Sequence, residues 1–210
     1  NAWKRMSKDF DGIVIGISGG EPFLLKGFIP LLNSLPENVR YEITSNLSFN
    51  VDDFLSFENI RKRCLGVVCS FHPSNLERNG NYIECFFEKV KKLTALRYTR
   101  VNFVAAPSNL KFYDRISDFC DENHIGLHVD RYVSLGEWMP FTAEESEFAA
   151  RIIAGDRQQP SGERWTVLCN GGNAYIALLP DGSIYPCLKK AESREDFVGN
   201  VFSAAVHLND

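Results

Sequence analysis

The sequence predicts an α/β protein: a parallel sheet with helices on its outside, followed by a small C-terminal β-hairpin extension. Three observations carry this. Short apolar runs recur at Ile13–Ile17 and over residues 41–45, 66–70, 101–105 and 126–130, each about the length of a buried strand. Between them apolar residues fall at helical spacing, so the chain reads as a repeated strand-helix unit. Near the end, Pro180-Asp181-Gly182 separates two further short runs with the turn chemistry of a hairpin.

The first run leads directly into Ser18-Gly19-Gly20-Glu21-Pro22. A buried strand that ends in two glycines gives a loop whose backbone something can approach closely. Glu21 adds a carboxylate and the neighbouring carbonyls add acceptors, which suits a cationic amine better than a phosphate. An ordinary turn with an exposed Glu is the alternative for a bare Gly-Gly pair.

The first helix follows, with Phe28, Leu31, Leu32 and Leu35 as its inner stripe, a start near Gly27 that tolerates Pro30, and a stop at Pro36. A second helix is expected over 51–63, capped by Asn50, with Phe54, Leu55 and Ile60 inward. The third puts Tyr82, Cys85, Phe86, Val90 and Leu93 on one face and Lys89, Lys91 and Lys92 on a solvated one. The fourth carries Phe112, Ile116 and Phe119. Beyond Gly136 the rhythm ends. Thr142 and Glu145 then have the spacing of a capping box, opening a helix with Phe148, Ile152 and Ile153 on one face. A polar linker over 156–164 leads to strands over 165–168, 174–179 and 183–185. The expected domains are a barrel-like unit over 1–140, a helical connector over 141–164 and the extension over 165–210.

Parallel strand-helix arrays keep their ligands at the C-terminal ends of the strands. The polar residues there are Glu21, then Thr44-Ser45-Asn46, then Ser70 and His72, then Pro107-Ser108-Asn109, then Asp130-Arg131. Singly each reads as a turn or cap residue; together they form a polar rim.

With 23 basic against 27 acidic residues the net charge is −4, and nothing in it recruits nucleic acid. No apolar run reaches the length of a membrane span, so no membrane partner is expected and the cytoplasm is the default location. The six cysteines are too few and scattered for a disulfide framework in 210 residues. Cys64, Cys69, Cys85 and Cys120 lie on apolar faces and read as small hydrophobes. Cys169 and Cys187 flank the hairpin, where they read as half of a zinc ribbon or as two buried thiols.

Gly19-Gly20-Glu21-Pro22 directly after a strand resembles the loop of radical S-adenosylmethionine enzymes that holds the cofactor's amino group. Thr44-Ser45-Asn46 is similar to the Thr-Asn-Gly element of those barrels, with Ser45 inserted and the glycine missing, and Ser70-Phe71-His72-Pro73 to their Ser-Leu-Asp-Gly, with His72 in place of the acid. The resemblance implies a partial (β/α)6 radical SAM barrel with cofactor contacts at Gly19, Gly20, Glu21, Pro22, Ser45, Asn46, Ser70, His72 and Arg131. Ser70 would contact the ribose and Arg131 the methionyl carboxylate, while loop histidine and surface arginine are the alternatives for His72 and Arg131.

The same family holds a 4Fe-4S cluster with Cys-x3-Cys-x2-Cys upstream of this loop, and the 18 residues before Gly19 contain no cysteine. The expectation is a fragment that lacks its first strand-helix unit, or a degenerate member. Cys169-x12-Gly182-x4-Cys187, with Gly199-Asn200 beyond, resembles the opening of a SPASM or twitch extension, which implies that Cys169 and Cys187 ligate an auxiliary 4Fe-4S cluster. The implied function is generation of a 5'-deoxyadenosyl radical for hydrogen abstraction from a peptide or protein substrate, with flavodoxin or ferredoxin as electron donor. An inactive barrel acting as a binding scaffold, and a non-radical barrel enzyme with a zinc hairpin, are the alternatives.

Overall fold

The computed structural model describes residues 11–72, 80–131, 141–155 and 176–202. Two compact units are present, one over residues 7–160 and the other within 161–210. In the first, β1 (Ile13–Ile17), β2 (Val39–Ser45), β3 (Cys64–Phe71), β4 (Tyr98–Ala105) and β5 (Gly126–Arg131) form one sheet in that order, every pair parallel. Each crossover therefore advances the chain by one strand in the same direction, which is how a parallel barrel is built.

The register sorts the side chains onto two faces. Pairings of Ile43 with Val67, Cys69 with Val101 and Phe71 with Phe103 place Tyr41, Ile43, Val67, Cys69, Phe71, Val101 and Phe103 on one face, all buried. Helices cover it: α1 (Phe28–Asn33), α2 (Val51–Ser56), α3 (Glu58–Arg63), α4 (Tyr82–Leu93), α5 (Pro107–Leu110), α6 (Tyr113–Glu122) and α7 (Ala143–Gly155). Phe71 sits at the centre of that core, with the rings of Tyr82, Phe86, Phe103 and Phe112 within 6.3 Å of its own. Burying one such ring contributes about 1.5–3 kcal/mol. The opposite, inner face carries Glu42, Thr44, Val68, Ser70, Tyr98, Arg100, Asn102 and His128, polar but for Val68 where the helix face is apolar.

The helix expected over 51–63 is two. Asn50 caps the first as anticipated, its side chain accepting from the Asp52 and Asp53 N–H groups, but Phe57 is extended (φ −83°, ψ 119°) and restarts the chain as α3. At about 100° per residue, a continuous helix would set Ile60 about 120° and Arg63 about 180° around from Phe54. The break lets Val51, Phe54, Ile60 and Arg63 all face inward. Arg63 is the surprise in that set. Its buried guanidinium donates to the carbonyls of Asn33, Leu35, Pro36 and Asn59, so it closes the C-terminal end of α1.

Four further expectations are corrected. Leu31 is 43% exposed, because α1 is only six residues long and buries Phe28 and Leu32. Cys85 is exposed, the inner face of α4 being Ile83, Phe86, Val90 and Leu93. Phe112 precedes α6, which buries Ile116, Phe119 and Cys120. Lys89 is half-buried rather than on a fully solvated face: its Nζ donates to the carbonyls of Leu47 at 2.6 Å and Phe49 at 2.9 Å, and burial lowers its pKa.

The capping box of α7 is formed reciprocally. Thr142 N donates to Glu145 Oε2 at 2.8 Å and Glu145 N to Thr142 Oγ1 at 3.2 Å. Phe148 meets Tyr113 edge to face at 5.9 Å, so α7 packs on the helices of the first unit.

In the second unit the hairpin is present. β6 (Ala177–Leu178) pairs antiparallel with β7 (Ser183–Tyr185), which pairs with β8 (Gly199–Asn200). The turn is held by Gly182 N donating to Leu179 O and Ser183 N donating to Asp181 Oδ1, both at 2.9 Å. A short helix, α8 (Leu188–Ser193), follows. The strand expected over 165–168 lies outside the described residues.

Candidate functional site

The loop leaving β1 is exposed at Ser18, Gly19 and Gly20. Gly19 has φ +125°, which an L side chain rarely adopts, and a Cβ added at Gly19 or Gly20 would enter open space. The backbone there is accessible to a ligand from the C-terminal end of the sheet. Pro22 opens a 3-10 turn (Pro22–Leu24) and Glu21 caps it, Oε1 accepting from Phe23 N at 3.2 Å.

Glu21 also reaches the next strand. Ser45 Oγ donates to its Oε1 at 2.8 Å and Asn46 N to its Oε2 at 2.7 Å. A carboxylate has about four acceptor positions, and among the described residues three are taken, two on Oε1 and one on Oε2. The open position is on Oε2. Ser45 Oγ in turn accepts from Leu47 N at 3.0 Å, and Asn46 Oδ1 accepts from Ser48 N at 2.9 Å. Below the loops Phe23 stacks on Phe49 with centroids 3.5 Å apart, and both meet Phe54 edge to face. Polar clamp and aromatic stack together hold the loops after β1 and β2 as one piece.

The remaining site residues named from the sequence fall in different places. Ser45 is the last inward position on the helix face of β2, so its hydroxyl serves the clamp. Ser70 is buried on the inner face, in register with Asn102. His72 is exposed just past β3, its N–H donating to the Tyr82 hydroxyl at 3.2 Å. Asn109, counted in the polar rim, is buried and donates to Val104 O at 2.8 Å, a structural role. Asp130 pairs with His128 at 3.0 Å. The Arg131 side chain and Cys169 lie outside the described residues.

One inner-face feature was missed. Tyr98 lies across Gly66 of the neighbouring strand and its hydroxyl donates to Glu42 Oε2 at 3.0 Å, linking β4 to β2 over β3. A Cβ at Gly66 would strike the Tyr98 carbonyl and ring, so this close approach requires glycine. Burial and the Glu42 carboxylate push the Tyr98 phenol up to about 12. Gly66 within an apolar strand run was the available signal.

Three thiols of the first unit, Cys64, Cys69 and Cys120, are buried. Burial pushes Cys64 and Cys120 up to about 12 and Cys69 upward as well, so all three stay protonated. Among the described residues no group of three His, Cys, Asp or Glu side chains is placed to hold a metal ion. Cys187 is partly exposed at the exit of β7. A separate depression of about 530 Å³ on the outside of α4, lined by Asn81, Glu84, Cys85, Glu88, Lys89 and Lys92, has none of the open glycine backbone found at the strand ends.

With that geometry, similarity to solved structures is informative. SuiB of Streptococcus suis bound to S-adenosylmethionine matches 99% of this chain and 56% of its own at 18% identity, TM-score 0.59. SuiB bound to its precursor peptide SuiA matches the same shares at 17% identity, TM-score 0.64. The chain has the fold of a partial radical SAM barrel. A third structure, hexahistidine-tagged anSMEcpe with bound AdoMet, matches 91% of this chain and 61% of its own at 15% identity, TM-score 0.57. The chain thus spans little more than half of the length of SuiB, and at these identities the likeness is one of fold. No family model and no curated protein sequence matches the chain. Among the described residues no helix is long and apolar enough to cross a membrane.

Proposed function

We propose that this chain acts as the barrel of a peptide-modifying radical S-adenosylmethionine enzyme, in which Glu21 receives the amino group of the cofactor. The carrying observation is the Glu21 clamp. A carboxylate fixed by three protein donors, with one acceptor position left on Oε2, stands beside exposed glycine backbone at the C-terminal end of a parallel sheet. Such a group is oriented before the ligand arrives and loses little freedom on binding. Gly19 and Gly20 would leave room for the methionyl portion, and Ser70 on the inner face for the ribose. When bound, S-adenosylmethionine supplies a sulfonium whose reductive cleavage starts hydrogen abstraction from substrate.

In this reading the described residues bind and orient the cofactor, and no three of their thiols are placed for the radical-generating cluster. Cys64, Cys69 and Cys120 are buried and protonated, and Cys85 stands on the outside of α4, so the described thiols do not fit that group. Cys187, partly exposed beside the hairpin, would ligate an auxiliary cluster, with Cys169 as its partner in sequence. A peptide or protein substrate is favoured by the fold shared with SuiB, a protein solved with its precursor peptide.

The test is equilibrium binding of S-adenosylmethionine to the whole chain, with Glu21→Gln beside it. A charge-assisted hydrogen bond contributes about 1.5–3 kcal/mol, so the variant should bind at least about tenfold more weakly at unchanged secondary structure. Equal affinity would remove Glu21 from the site.

A further inference from the structure

We propose that Lys89, half-buried on the flank of α4, is a positioning residue for the Glu21 carboxylate. The inference rests on the cofactor-binding role of Glu21 and adds the element that fixes its geometry. Lys89 Nζ donates to two carbonyls of the loop after β2, Leu47 O at 2.6 Å and Phe49 O at 2.9 Å. Each of those residues leads back to Glu21 in two contacts. Leu47 N donates to Ser45 Oγ, which donates to Glu21 Oε1. Phe49 stacks on Phe23, whose N–H also donates to Oε1.

The loop needs such a hold. Leu47 has φ +59°, a left-handed conformation that a branched, bulky residue rarely adopts. Non-glycine residues persist there only when their surroundings fix them. Leu47 is fixed three ways: its side chain is buried, its N–H is taken by Ser45 and its carbonyl by Lys89. Among the described residues Lys89 forms no ion pair with a carboxylate, unlike Lys92, which pairs with Asp52 one helical turn away. Its charge is directed at the two carbonyls. Partial burial makes those bonds stronger than they would be in water, and the same burial lowers its pKa. Without Lys89 two inward carbonyls lose their donor, and the segment that presents the Ser45 hydroxyl and the Asn46 amide to Glu21 is released.

The experiment is amide hydrogen exchange on the whole chain for wild type, Lys89→Met, Lys89→Arg and Lys92→Met, with S-adenosylmethionine binding measured on each. Lys89→Met should accelerate exchange at Phe23 and Asn46, the two amides held by Glu21, about tenfold or more, while amides of β3 such as Val67 and Cys69 keep wild-type protection. Lys89→Arg, which can still donate to both carbonyls, should restore most of that protection. Lys92→Met, which removes an exposed pair, should leave both amides unchanged. Affinity should fall in Lys89→Met and recover in Lys89→Arg. Wild-type exchange at Phe23 and Asn46 in Lys89→Met overturns the proposal, as does acceleration of the β3 amides to the same degree, which would mark a global effect. If exchange accelerates as expected but neither Lys89→Met nor Glu21→Gln changes affinity, Lys89 positions the clamp and the cofactor role of Glu21 is what fails.

Discussion

Glu21 lies in the loop after β1 and Ser45 is the last residue of β2, and the 2.8 Å bond from the Ser45 hydroxyl to Glu21 Oε1 joins the two strand ends into one surface. Ser45→Ala would remove a donor to the carboxylate and an acceptor for Leu47 N together. Losing a part-buried bond to a charged group costs about 1.5–3 kcal/mol. The expected outcome is a lower unfolding midpoint and several-fold weaker S-adenosylmethionine binding, read by denaturant titration and equilibrium binding. A stable variant with wild-type affinity would show that the clamp is dispensable.

Gly66→Ala should be among the most damaging single-methyl additions to this chain. The new Cβ meets a backbone carbonyl as well as a ring, so rotating Tyr98 cannot relieve it. Overpacking of this kind costs about 1–3 kcal/mol. Tyr98→Phe removes only the bond to Glu42 and should cost less, about 0.5–1.5 kcal/mol. Urea unfolding of the two variants orders them, and the reverse order would show that the Tyr98 hydroxyl matters more than the close approach.

Arg63→Met keeps the apolar stem and removes the guanidinium. The carbonyls of Asn33, Leu35, Pro36 and Asn59 then lose their donor at a buried helix end. Leaving buried acceptors unpaired costs about 1–3 kcal/mol, and calorimetry should show that loss without a change in cofactor affinity.

The thiols set an alkaline limit. Cys64 and Cys120 titrate at about 12 in the folded chain and near 8.5 when unfolded. The folded state therefore binds more protons than the unfolded one above about pH 8.5, so stability falls as pH rises through that window. Denaturant midpoints should be level below about pH 8 and drop above it, and native-state alkylation at pH 8 should label exposed Cys85 ahead of Cys64, Cys69 and Cys120. Labelling of Cys69 at the rate of Cys85 would contradict the buried assignment.

Much of this architecture was legible in the residues. The continuous apolar run Ile13–Ile17 reads as a strand and forms β1, although none of its five residues is buried, and Thr142 with Glu145 signals a capping box because both partners lie within four residues. Local signals of that kind survive without a structure. What escaped was non-local. Nothing in a lysine-rich helix says that Lys89 reaches a loop 40 residues back, or that Arg63 closes a helix 27 to 30 residues earlier. The break at Phe57 escaped because spacing was read as one helix, although Phe54 and Ile60 are out of phase for one. At the site, Glu21 was legible as an acidic group at a strand exit, but its capture by Ser45 and Asn46 was not, since it depends on how two loops meet.

The most direct test of the cofactor site is titration of S-adenosylmethionine into the isotopically labelled chain, following backbone amide resonances. The expected result is a saturable shift at Gly19, Gly20 and Asn46, smaller at Ser70, and lost in Glu21→Gln. Shifts confined to the outside of α4, around Asn81, Glu84 and Glu88, or none at the β1 and β2 loops at saturation, would contradict it.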